Sequence, residues 1–218
     1  MEKIEEVYKR LEIDQPTFSE VDDDWTKYGL SSTHFKALVS VTLSTMTHTP
    51  RVVKAATALY EVADTPEAIV KLDDDLLREL IRPVAHYNRK TQHLKKMCRE
   101  IIGNFNGEVP RNKSDLLSLT GVGEKCANIM LNFEFNQNSI AVDSHVFRVL
   151  NRLGVIHTSS HEKASEIINK ITPNQYKRHA HEWLIGFGMR VCHAKKPNCS
   201  ECVLYDLCVF TEKTSEER

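Results

Sequence analysis

The chain has 218 residues, 41% of them hydrophobic and 27% charged, with a formal net charge of −1, so it can bury one large core or two small ones and carries no overall nucleic-acid signal. No apolar run reaches the roughly 18 residues that cross a bilayer, and the opening MEKIEE is not a signal peptide. That excludes a membrane partner and sets the expectation of a cytoplasmic, nucleoid-associated protein. Six cysteines without a leader argue against a disulfide framework.

In chain order, apolar spacing near 3.6 predicts helices over 34–45, 51–62, 66–72, 75–82, 89–103, 114–119, 124–134, 144–153, 160–171 and 174–188. The class is all-α. Thr65 followed by Pro66 and Glu67 predicts a capped helix start, and Ser159 to Glu162 and Thr172 to Gln175 each fit a capping box. The segment SIAVD at 139–143 is β-branched but short, and a helix start follows it. Two stretches are basic, 89–99 and 190–196, and a local basic face can hold phosphate on a neutral chain. The plain alternative for 89–99 is a solvated helix face. Cys98 and Cys126 stand alone in apolar helical patterns and read as core residues.

The stretch LTGVGEKCANIM reads as the end of one short helix, a glycine hairpin at 120–123, and a second helix with Lys125 in its first turn. Successive backbone N–H groups beside a helix start suit a phosphate. Any helix–helix corner uses glycines too, and a lone lysine there is ordinarily a surface lysine. Further on, Cys192, Cys199, Cys202 and Cys208 follow C-x6-C-x2-C-x5-C. Four cysteines in so short a segment point to one metal centre. Four-cysteine zinc sites typically use two C-x2-C knuckles and this segment has one, which leaves zinc and an iron–sulfur cluster open on spacing alone.

The segments LTGVGEKCANIMLNFEF and IAVDSHVFRVLNRLG resemble the helix-hairpin-helix region of the endonuclease III family of DNA glycosylases, where the hairpin reads L-P-G-V-G-x-K and the next block V-D-[TS]-H-[VI]-x-R. The likeness runs from about Thr33 to Phe210. It implies a two-lobed helix-hairpin-helix glycosylase fold. A six-helix lobe would span 27–137 and end in the hairpin; residues 1–26 and 138–218 would form a second lobe around a [4Fe–4S] cluster held by Cys192, Cys199, Cys202 and Cys208. It implies a monomer that takes double-stranded DNA containing a damaged or modified base or an abasic site across the cleft between the lobes, with the nucleotide flipped toward Lys125 and Asp143. Leu119, Gly121, Gly123, Met46, His86, His145 and Lys195 would meet the DNA.

The implied activity is a bifunctional N-glycosylase and AP lyase acting on pyrimidines. An amine that bonds to C1′ as the base leaves forms a Schiff base, which permits β-elimination of the 3′ phosphate. A carboxylate stabilises the oxocarbenium-like transition state. These are the roles of Lys125 and Asp143; without the resemblance, Asp143 reads as a simple helix cap. The pattern departs from the family at three positions. Thr120 replaces the hairpin proline, Met46 a glutamine that fills the gap left by the flipped base, and His86 a leucine that wedges into the stack. A monofunctional glycosylase acting on thymine or uracil opposite guanine, and a non-catalytic iron–sulfur DNA-binding module, are the alternatives.

Overall fold

Among residues 2–14 and 25–214, which the computed structural model describes, the periodic segments are helices and there is no strand. In chain order they are α1 (Glu2–Asp14), α2 (His34–Ser44), α3 (Thr49–Tyr60), α4 (Pro66–Lys71), α5 (Asp74–Leu80), α6 (Tyr87–Phe105), α7 (Lys113–Ser118), α8 (Glu124–Ile129), α9 (Ser144–Arg152), α10 (His161–Ile171) and α11 (Asn174–Arg190). The chain divides into two compact units, Met1–Phe18 with Asn136–Arg218, and Ser19–Phe135. No helix among the described residues is long and apolar enough to cross a membrane.

The unit Ser19–Phe135 is built around α2, which is buried on nearly every side through Phe35, Leu38, Val39, Val41 and Leu43. A helix apolar all round belongs inside its unit. Its start is fixed by Thr33, whose hydroxyl accepts the Lys36 N–H at 3.1 Å. Helix α6 presents Thr91, Leu94, Met97, Cys98 and Ile101 as a buried stripe, so Cys98 is the core residue its pattern predicts; Cys126 on α8 is buried as well. Thr65 caps α4 by accepting the Ala68 N–H, with Pro66 first in the helix. The predicted helix 124–134 changes hand-hold partway: α8 ends at Ile129 and Met130–Glu134 continue as one π-helical turn.

In the other unit α1 buries Ile4, Val7, Tyr8 and Leu11, one face at helical spacing, and Tyr8 stacks on Tyr176 of α11 with ring centroids 5.4 Å apart. Arg10 reaches Asp206 at 2.6 and 3.1 Å, and Arg190 reaches Asp14 at 2.8 Å, so the first helix is tied to the C-terminal segment. Both predicted capping boxes need correction. Ser160, one residue later than expected, caps α10 by accepting the Lys163 N–H and donates to Glu162. Thr172 cannot open α11, because its N–H is spent closing α10 on the Ile168 carbonyl; α11 begins after Pro173 with no side-chain cap. The β-branched run 139–143 is extended, not a strand. Its peptide groups are satisfied by side chains: Asn169 brackets Ile140 at 2.8 and 2.9 Å, and the His181 ring bonds the Ala141 carbonyl at 2.9 Å.

Candidate active site

The predicted hairpin is present as α7, residues 119–123 and α8. Gly121 sits at φ +86°, a conformation that favours glycine, and a Cβ there would come within 3.2 Å of the His93 ring. Gly123 is different. Its φ of −101° is ordinary, and a Cβ would meet nothing within 4 Å. The fold therefore explains the first glycine and leaves the second open to whatever approaches from solvent. Lys125 follows in the first turn of α8, half-buried, with no hydrogen-bond or ion-pair partner among the described residues. Leu119 turns into the core at 2% exposure, so only its main chain can meet a ligand.

Thr120 does more than occupy the place of a proline. Its N–H and its hydroxyl donate to the two carboxylate oxygens of Glu100 on α6, at 2.7 and 2.8 Å. Proline has no N–H to give, so the departure from the family pattern at this position gains the hairpin a two-point tie. Glu100→Ala should lower stability by about 1–3 kcal/mol through loss of two charge-assisted bonds, measured as a shift in the denaturant midpoint, whereas Glu100→Gln should recover part of it.

Met46 and His86 are exposed, Met46 by 77%, and both adopt left-handed backbone, at φ 56° and 57°. For residues with a Cβ this costs on the order of 1 kcal/mol or more each, a strain that clusters at functional positions. Both line one cavity, together with Lys90, His93, Thr120 and Gly121. The basic stretch 89–99 is only partly a solvated face. Lys95 is 8% exposed and turned to the Leu72 carbonyl and Asp74, and Lys90 is turned to the end of α2.

Asp143 caps α9, accepting the N–H groups of His145 and Val146 on one oxygen, both at 2.9 Å. Its other carboxylate oxygen is outside the cap. His145 is half-buried, with Nδ1 3.3 Å from Arg148. Arg148 ties helices, donating to the carbonyls of Cys192 at 2.9 Å and Gly188 at 2.8 Å. Lys195 is exposed.

Cys192, Cys199, Cys202 and Cys208 line a single small cavity walled by Val149, Leu153 and Phe187. Burial pushes the Cys202 thiol up to about 11, and the other three sulfurs act in the same direction. Among the described residues no three His, Cys, Asp or Glu side chains converge to hold a single metal ion. Four thiols lining one largely apolar cavity fit the four-thiolate ligand set of an iron–sulfur cluster. Arg152 donates to the Cys192 sulfur at 3.4 Å, the kind of contact that steadies a thiolate ligand.

The sequence matches the family described as HhH-GPD superfamily base excision DNA repair protein over residues 39–174, and the iron-sulfur binding domain of endonuclease III over residues 192–208. Endonuclease III of Haemophilus influenzae is 41% identical over 179 residues, 82% of this chain and 85% of that one. The Escherichia coli K12 enzyme is 39% identical over 182 residues, 84% and 86% of the two chains. The chain belongs to the endonuclease III family.

Among solved structures, a trapped endonuclease III–DNA covalent intermediate, an estranged-adenine complex, superposes with a TM-score of 0.76 at 32% identity, covering 87% of this chain and 92% of that one. A thermostable thymine-DNA glycosylase gives a TM-score of 0.75 at 22% identity, covering 94% and 98%, and shares the fold. As a member of the endonuclease III family the chain is a base excision repair DNA glycosylase with AP lyase activity, it binds DNA, and it carries a [4Fe–4S] cluster. Sequence reasoning missed Glu100, Thr47 and Lys90, the residues that hold the hairpin and the two left-handed turns. One signal was available: Lys90 lies four residues before Leu94 and seven before Met97, in helical register with the buried stripe of α6.

Proposed function

We propose that the enzyme removes damaged or modified pyrimidines from duplex DNA and then nicks the strand, with Lys125 as nucleophile and Asp143 as its charge partner. The observation that carries this reading is the half-buried Lys125, without a hydrogen-bond or ion-pair partner among the described residues and two residues after Gly123, a glycine whose missing side chain the fold does not require. The Lys125 nitrogen bonds to C1′ as the glycosidic bond breaks, and the base departs with the bonding electron pair and collects a proton. The Asp143 carboxylate offsets the positive charge that builds on the sugar and takes the proton shed by the attacking amine. Ring opening gives the Schiff base; loss of a C2′ proton then expels the 3′ phosphate, and water releases the enzyme.

The backbone of Gly121 and Gly123 approaches a DNA phosphate, with Leu119 contributing through its main chain alone. Met46 fills the space vacated by the flipped nucleotide, His86 enters beside it, His145 shapes the sugar pocket and Lys195 contacts the backbone. Cys192, Cys199, Cys202 and Cys208 hold the cluster, which when bound supplies a rigid covalent anchor for the loop carrying Lys195. Burial keeps the Cys202 thiol protonated at neutral pH, so iron binding there releases a proton. The enzyme acts as a monomer in the cytoplasm, on the nucleoid.

Met46 favours a second reading, action on thymine or uracil opposite guanine, because a thioether cannot hydrogen-bond the orphaned purine as an amide would. A panel of duplexes bearing oxidised or ring-saturated pyrimidines and these mismatches, scored separately for base release and for nicking, decides between them. Coupled release and nicking on the modified pyrimidines is expected. Base release confined to mismatches, without nicking, would overturn the leading reading.

A further inference from the structure

Met46 and His86 lie 40 positions apart in sequence, yet their two left-handed turns are fastened to each other by the same two side chains. Lys90 donates its three ammonium protons to three oxygens: the Leu43 carbonyl at 2.7 Å, the Thr45 carbonyl at 2.8 Å and the Thr47 hydroxyl at 3.3 Å. Both carbonyls belong to the end of α2, where intrahelical partners run out. Thr47 continues the circuit. Its oxygen also accepts the N–H of Ala85 at 3.0 Å and its proton goes to the Thr45 carbonyl at 3.3 Å, so every site on that hydroxyl is used. The Lys90 N–H closes the loop on the His86 carbonyl at 3.0 Å.

A lysine that only capped α2 would need the two carbonyls and nothing more. Here the residues on both sides of Met46, Thr45 and Thr47, are held by Lys90, and the residue before His86 is held by Thr47. We infer that Lys90 and Thr47 are positioning residues that set Met46 and His86 as one two-pronged unit for entry into the base stack. The inference rests on the proposed role of those two side chains. It explains why a half-buried lysine stands in register with the buried residues Leu94 and Met97 of α6, and why two strained turns coexist at one cavity rim. Neither prong touches the reacting atoms, so the circuit acts on penetration of paired DNA and leaves the chemistry at the sugar to other residues.

The test compares two rates in the holoenzyme: release of 5,6-dihydrouracil from a duplex, and cleavage of an abasic site in a single strand, which has no stack to enter. For Lys90→Met and for Thr47→Val the ratio of the first rate to the second should fall about ten-fold, with Lys90→Arg recovering part of it. The paired variant Met46→Ala/His86→Ala should show the same fall, and adding Lys90→Met to it should cost little more, since coupled residues are not additive. Equal loss on both substrates would reduce Lys90 to a support of the fold and overturn the inference. A normal ratio in Lys90→Met and Thr47→Val, alongside a lowered ratio in the prong variant, would overturn it while sparing the role of the prongs. A normal ratio in the prong variant would remove that role and this inference together. Should Lys90→Met not fold, Thr47→Val, which exchanges a hydroxyl for a methyl, carries the test alone.

Discussion

Lys125→Ala should lose strand nicking at abasic sites by about 10³-fold or more while the protein stays folded and keeps its visible iron–sulfur absorption. The size follows from the role: without the amine there is no covalent bond to C1′, hence no Schiff base and no acidified C2′ proton. Stability should scarcely change, because Lys125 is half-buried and makes no hydrogen bond or ion pair among the described residues. Lys125→Arg should be nearly as defective, since a guanidinium keeps its charge and offers no lone pair at neutral pH. Lys90 is the rival worth measuring against. Burial brings its amine down to about 8, yet its protons are committed to three oxygens, so Lys90 variants should retain nicking of abasic single strands.

Asp143 should separate cap from catalyst. Asp143→Asn keeps the N-cap, because asparagine accepts the His145 and Val146 N–H groups as aspartate does, and surrenders only the charge at the helix start, about 0.3–1 kcal/mol. Base release should nevertheless fall about 10²–10³-fold, the scale of removing one well-placed electrostatic stabiliser from a transition state. Asp143→Ala should fall as far in rate and cost roughly 0.5–2 kcal/mol more in stability, because the cap goes too. Thermal midpoints and single-turnover rates on the same three proteins check both halves. If Asp143→Asn released bases at the unmodified rate, Asp143 would be a cap and nothing else.

What could be read in advance was local. The hairpin, the Thr65–Pro66 start and the cysteine spacing each sit within one short window, and each is a pattern whose physics is self-contained. What escaped was tertiary. Thr120 finds Glu100 20 residues away, and Lys90 finds Leu43 47 residues away; no window shows that a threonine in place of a proline has gained a carboxylate, or that a basic residue faces inward. The misplaced capping boxes fail for a related reason. Thr172 has the right side chain, but its peptide is already consumed by the preceding helix, and only the accounting of backbone bonds across both helices reveals it. The change to π geometry after Ile129 leaves apolar periodicity almost intact, so the pattern reads as one uninterrupted helix.

Met46 and His86 mark the boundary between the two kinds of information. Their identities are visible in the sequence as departures from the family pattern, yet their left-handed backbone and shared fastening emerge only in three dimensions. Exposed apolar and aromatic-like side chains on strained turns are not explained by the stability of the unit that bears them. They are explained by something that arrives.

The most direct measurement is to mix the enzyme with an abasic-site duplex, reduce with borohydride, digest, and locate the sugar adduct by mass spectrometry. The adduct should fall on the peptide containing Glu124-Lys125-Cys126, with the sugar on the Lys125 nitrogen. An adduct on Lys90 or any other amine, or efficient nicking with no trapped adduct at all, would contradict the account.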